Sequence, residues 1–105
     1  MAPKLSAAAF DALGNPLRRE IVQRLARKPM SVGTLAAAFT VSRPAISRHL
    51  SVLEDAGLVA HRAEGTRNVY ALDPRGFEAT QEALAAFWDE AEARLRLVAE
   101  NLRDD

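Results

Sequence analysis

Two residues, Thr40 and Val41, are all that separate two helical patterns in the middle of this chain. The first pattern is capped by Ser31 and repeats Val32, Leu35, Ala36 and Phe39 at helical spacing. The second is capped by Ser42, tolerates Pro44 in its first turn, and repeats Ile46, Leu50 and Leu53. Gly57 stops it, because glycine adopts the left-handed conformation just past a helix end at little cost. A connection so short forces the two helices to stay together and cross.

The flanking segments complete the arrangement. Leu5 to Leu13 reads as a short helix with Leu5, Ala9, Ala12 and Leu13 on one side, ended by Gly14. Asn15-Pro16 restarts the chain as cap plus first-turn proline, and Leu17, Ile21 and Leu25 then line one face with Val22 beside them. Arg18, Arg19, Arg24, Arg27 and Lys28 lie off that stripe, and Pro29 closes the helix. After Gly57 the period changes: Leu58–Ala63 and Arg67–Leu72 are extended in character, and Gly65 between them supplies the positive φ of a hairpin turn. Asp73-Pro74 opens a last helix, with Gly76 weakening its first turn, and the pattern from about Phe77 to Leu102 spans about 40 Å as a helix. The order α-α-α-α-β-β-α predicts a mostly α fold with a small β-hairpin, a winged helix-turn-helix. It forms one domain over residues 1–105, with a nucleic-acid-reading part at about 31–72 and dimerisation helices at about 4–13 and 77–102.

Charge and cysteine usage narrow the function classes. The net charge is zero, yet residues 1–75 carry 11 basic and 6 acidic side chains, whereas residues 76–105 carry 3 and 8. That asymmetry is more informative than the total and leaves room for a nucleic-acid partner on the basic part, while the last segment also reads simply as an acidic solvated helix; both readings can hold together. With no Cys, disulfides, thiolate metal sites and thiol redox chemistry are excluded, which fits a cytoplasmic protein. No apolar run is long enough for a membrane span, and the first ten residues carry no signal-peptide pattern. An enzyme is not expected, since there is no Gly-rich phosphate loop, no thiol nucleophile and no His near the terminal carboxylates.

If Ile46, Leu50 and Leu53 face the core, then Arg43, Ser47, Arg48 and Ser51 fall on or near the opposite surface. Arginine bonds guanine bidentately in the major groove, serine bonds several partners, and Ala45, Ser47 and Ser51 are small enough for close approach. Ser42 and the helix start offer N–H groups to a phosphate. His49 lies between stripe and surface and reads as either a half-buried structural group or a DNA contact. Arg62, Thr66, Arg67 and Asn68 at the hairpin tip are expected to position the duplex through its backbone. His61 is expected simply to be exposed, and Tyr70 either packs under the hairpin or meets DNA. The rival reading is a winged helix that docks protein, but the polar face lacks the aromatic or apolar anchors such an interface favours.

The stretches ALGNPLRREIVQRL (12–25), SVGTLAAAFTVSRPAISRHLSVLEDAGLV (31–59) and RAEGTRNVYAL (62–72) together resemble the ArsR/SmtB family of bacterial winged-helix repressors over nearly the whole chain. The resemblance implies a homodimeric, sequence-specific transcriptional repressor, with the 42–56 helix as reader and the hairpin as wing. Many members of that family sense metals through Cys on the helix-turn-helix or His and carboxylates on the terminal helix. Here Cys is absent and both His lie in the reader helix and wing, so no cofactor and no metal control are expected. A small apolar effector between the first and last helices is the alternative; the effector is unknown.

The last helix carries Leu84, Trp88, Ala91, Leu95, Val98 and Leu102 at spacings of four and three, widened by Phe87. This is an a/d-like seam, with Glu90–Arg94 and Glu92–Arg96 as outward i,i+4 pairs. So small a domain has little surface of its own to cover the seam, which predicts a two-fold dimer joined by Leu5 and Ala9 of the first helix. A two-fold dimer in turn predicts an inverted-repeat operator on double-stranded DNA.

Overall fold

The computed structural model describes residues 2–104, with side chains over 7–103. Eight elements follow one another: α1 (Ala2–Leu13), α2 (Pro16–Leu25), β1 (Met30–Ser31), α3 (Val32–Ala37), α4 (Arg43–Asp55), β2 (Val59–Glu64), β3 (Arg67–Leu72) and α5 (Pro74–Asp104). The expected caps form. The Asn15 side chain accepts from the Arg18 N–H, Ser31 from that of Thr34, and Ser42 from that of Ala45. Each satisfies one of the N–H groups that a helix start leaves without an internal partner.

The two-stranded hairpin of the sequence reading becomes a three-stranded antiparallel sheet of order β1-β3-β2. Met30 pairs with Tyr70 and Ser31 with Val69, so the link between α2 and α3 is stitched to the wing. A two-residue strand has no periodicity of its own, which is why no pattern announces it. The wing turn is tighter than expected, because β2 reaches Glu64, β3 begins at Arg67, and only Gly65-Thr66 lie between. Gly65 has a φ of 63° and Thr66 does not share the positive sign, as a type II′ hairpin requires. The helix-turn-helix link is longer than Thr40-Val41, since α3 already ends at Ala37. The first and last helices extend past the expected limits, to Ala2–Leu13 and Pro74–Asp104.

One core serves the whole domain. Ile21, Leu35, Ile46, Leu50, Leu53 and Leu58 are completely buried, joined by Leu25, Val59 and Tyr70, with Ala9 and Ala12 of α1 sealing one side. α4 ends in a Schellman motif: the Leu58 N–H donates to the Leu53 carbonyl (3.0 Å) and the Gly57 N–H to that of Glu54 (2.9 Å). The φ of Gly57 is 80° and Leu58 folds back onto the same core as Leu53. The start of α5 is pinned to this corner. The Asp73 N–H donates to the Leu58 carbonyl at 2.9 Å, and the buried Thr80 hydroxyl donates to the Gly76 carbonyl at 2.7 Å. Gly76 itself presses on the turn, and a Cβ there would lie 1.8 Å from the Gly57 carbonyl oxygen.

Beyond that corner α5 leaves the body. Its 31 residues correspond to about 46 Å of helix, and they stretch the molecule to 67 × 29 × 21 Å. From Leu84 onward every described side chain on it is exposed. No helix among the described residues is long and apolar enough to cross a membrane. Replacing Gly76 by Ala forces α5 off the Gly57 turn and is expected to destabilise the fold by about 1–3 kcal/mol. Thermal or urea unfolding checks this; an unchanged midpoint would show that the corner yields without cost.

Candidate nucleic-acid interface

α4 has one buried stripe, and that stripe settles where its other side chains go. With Ile46, Leu50 and Leu53 at 0% exposure, Ser42, Arg43, Arg48 and Ser51 are exposed, and Ala45, Ser47 and His49 are half-buried. Among the described residues, neither Arg43 nor Arg48 forms a hydrogen bond or ion pair. Most other arginines of the domain are engaged. Arg18 and Arg19 donate to the carbonyls of Ala12 (2.7 Å) and Leu13 (2.9 Å), and Arg24 stands over the Phe39 ring at 5.2 Å. Arg75 pairs with Asp73 at 3.2 Å. The two cations of the reader helix therefore present their donors to solvent.

Arg43 does not project alone. A Cβ built on Gly33 would stand 3.7 Å from its guanidinium, which places that group over the first turn of α3. A hollow of about 350 Å³ brings Arg43 together with Thr66, Arg67 and Asn68 of the wing. Three of the four wing residues named from sequence thus share a hollow with Arg43 beside α3, and all four are exposed. Arg62 lies farther round the wing, with its Nε donating to Glu64 at 2.8 Å. Arg67 reaches back to the body, where its Nη2 donates to the buried Ser31 hydroxyl at 3.1 Å. That hydroxyl also donates to Thr34 Oγ1 at 3.0 Å.

The histidines hold structural posts. His49 Nδ1 faces the Arg18 guanidinium at 3.4 Å, and Arg18 also binds the Ala12 carbonyl, so this one side chain of α2 links the end of α1 to the reader helix. Burial, with Arg18 and then Arg48 nearby, holds the His49 imidazole below its usual pKa, in the neutral form that can accept from Arg18. His61 is exposed, as its sequence predicts, and it is also engaged: its Nδ1 meets Glu54 at 2.7 Å and its ring packs on Tyr70 with centroids 4.9 Å apart. This contact ties the end of α4 to the first wing strand. Tyr70 is buried in the core, its pKa raised by that burial and by the Glu54 charge, so it packs under the wing. Arg18 and Glu54 were missed from sequence because their partners lie 31 and 7 residues away with no local signal.

The comparisons with known proteins agree with this geometry. A helix-turn-helix domain model matches residues 13–62. The HTH-type transcriptional regulator Rv2034 of Mycobacterium tuberculosis is 52% identical over 83 residues, covering 79% of this chain and 78% of that protein. An ArsR-like transcriptional regulator from Rhodococcus sp. RHA1 superposes with a TM-score of 0.78 at 31% identity, over 92% of each chain. This chain belongs to the ArsR family. As a member it is a DNA-binding regulator of transcription with the winged helix-turn-helix fold. A solved structure from Mycobacterium bovis is described as a homodimeric winged helix-turn-helix DNA-binding domain and a possible ArsR-family transcriptional regulator. It has a TM-score of 0.66 and 29% identity, over 88% of this chain and 82% of its own.

The neutral state of His49 gives this ArsR-family chain a pH signature. Its imidazole is harder to protonate folded than unfolded, so the unfolded chain takes up the proton first. The stability it contributes is whole above the ordinary value of 6.5 and is lost as the pH falls from there through the depressed folded value. Acidification from about pH 7.5 to 5 should therefore lower the melting temperature more in the wild type than in His49→Gln. Equal losses in the two proteins would remove His49 from this role.

Proposed function

We propose that this protein is a homodimeric transcriptional repressor that reads an inverted-repeat operator with α4 and steadies the duplex with its wing. The observation that carries the reading is the pair of uncommitted arginines, Arg43 and Arg48, on the solvent side of a helix whose other side is wholly buried. Bidentate donors held on a rigid helix suit guanine edges, and Ser47 and Ser51 add adaptable hydroxyls beside them. Thr66, Arg67 and Asn68 on the wing, near Arg43, suit the sugar-phosphate backbone. Repression rests on the family resemblance.

The dimer reading rests on α5. Leu84, Phe87, Trp88, Leu95, Val98 and Leu102 are between 49% and 70% exposed in the single chain, and Ala91 is exposed with them. Burying such side chains is worth about 1.5–3 kcal/mol each, so a second copy is the natural cover. The homodimeric relative from M. bovis supports this. The contribution expected from α1 changes. Ala9 is fully enclosed by its own chain against the core, so it offers nothing to a partner, whereas the neighbouring Phe10 is 40% exposed. The Leu5 side chain lies outside the described residues. Of the two outward pairs, Glu90–Arg94 closes at 2.8 Å.

The proposed repressor works without metal control. No Cys is available, and both imidazoles are spoken for, His49 by Arg18 and His61 by Glu54. The donor set left on α5 is carboxylate alone, a poor match for the softer metals.

Selection of duplexes from a random pool should return an inverted repeat with half-sites about 34–36 Å apart or a multiple of that. Arg48→Ala should cost about 1–3 kcal/mol on the selected site and relax the preference at one base pair, with folding intact. Leu95→Glu should yield a lighter particle in sedimentation and lose operator binding indirectly. A single asymmetric site, or a dimer that persists in the Leu95 variant, would overturn the symmetric model.

A further inference from the structure

On the far side of Arg67 from Arg43 lies a second hollow, of about 420 Å³, between the wing and the α2–β1 turn. Lys28, Arg62 and Arg67 line it, with the hydroxyls of Ser31 and Thr34 and one carboxylate, Glu64. That carboxylate is already engaged by Arg62 Nε at 2.8 Å. Lys28 is exposed and makes no ion pair among the described residues. Arg67 spends one N–H on the buried Ser31 hydroxyl, which fixes the guanidinium in the wall between the two hollows and leaves the rest of its five donors free.

With Arg62 paired to Glu64, two cations, Lys28 and Arg67, face this space without a counter-charge, which favours an anion from outside. The chain has acids enough to neutralise them, but eight of its fourteen lie beyond residue 75. The lining is hydroxyl and cation, the donor set that holds phosphate oxygens. With Arg43 across the Arg67 wall, the two hollows form one basic trough that crosses the start of α3 beside the reader helix.

We propose that this trough, with Lys28 and Arg67 as its principal donors, is a phosphate site that holds the DNA backbone flanking the bases read by α4. The site rests on the DNA-reading assignment above and extends its footprint to the α2–β1 turn. Its contacts are with phosphate alone, so it contributes affinity and register and no base preference.

The test measures binding of wild type, Lys28→Gln and Arg48→Ala to two duplexes over a salt series, one selected by the wild type from a random pool and one of scrambled sequence. Lys28→Gln should weaken both several-fold alike and flatten the plot of log affinity against log salt by about 0.9. Arg48→Ala should mainly weaken the selected duplex. A Lys28→Gln slope equal to wild type overturns the proposal while leaving the DNA reading intact; a wild type whose binding ignores salt overturns the DNA reading itself. Thermal unfolding with and without inorganic phosphate separates the other source. Phosphate that stabilises wild type but not Lys28→Gln, with the DNA slopes of the two equal, assigns the trough to a free anion and removes the backbone claim. Lys28 is a surface residue, so its variant should fold as wild type does; Arg67→Lys, which keeps the charge but loses the fork, should hold the salt slope while losing affinity.

Discussion

The burial of Ile46, Leu50 and Leu53 on one side of α4 governs most of what this molecule presents to its surroundings. A helix of thirteen residues has room for one continuous apolar stripe, and once that stripe is sealed the Arg43, Arg48 and Ser51 side has nowhere to go but out. The same burial closes the end of the helix. Leu58 folds back over Leu53, Gly57 takes the left-handed turn that allows it, and Gly76 settles against that turn. The corner that ends the reader helix, together with the packing of α5 on α1, sets the direction in which α5 departs.

Charge follows the same division. Net neutrality looks unfavourable for a protein that meets a polyanion, but the acids are concentrated on α5, which carries them away along about 46 Å of helix. Exposed charges separated by more than about 8 Å are largely screened at physiological salt. The basic residues of α4 and the wing are thereby spared much of the opposing field. The arginines inside the body illustrate a second economy of placement. Arg18, Arg19 and Arg24 are used as internal clamps on carbonyls and a ring, whereas Arg43 and Arg48 are left without internal partners.

How much of this was legible in the chain depends on how local each signal is. The caps at Asn15, Ser31 and Ser42, the stops at Gly14 and Gly57, and the turn at Gly65 act within four residues of themselves, and each stands where the pattern placed it. The α5 seam is equally plain, because an a/d spacing is a property of one helix. What escaped notice was relational. β1 exists only because β3 lies beside it, about forty positions later, in the register Met30 to Tyr70. The Glu54 partner of His61 is brought to it only by folding, and the place a side chain on Gly76 would take is occupied by the Gly57 carbonyl.

Periodicity, caps and composition were thus enough by themselves to determine a winged helix-turn-helix with a polar reader face and a long apolar seam, since every one of those features is written in the spacing of near neighbours. Only the tertiary structure decided that Ala9 is spent inside its own chain, that Arg18 and His49 join α1 to α4, and that Arg67 borders two hollows, one shared with Lys28 and the other with Arg43. The physical reason is the same in each case: a contact between residues distant in the chain is fixed by how the helices and strands pack on their common core, and no local pattern carries that information.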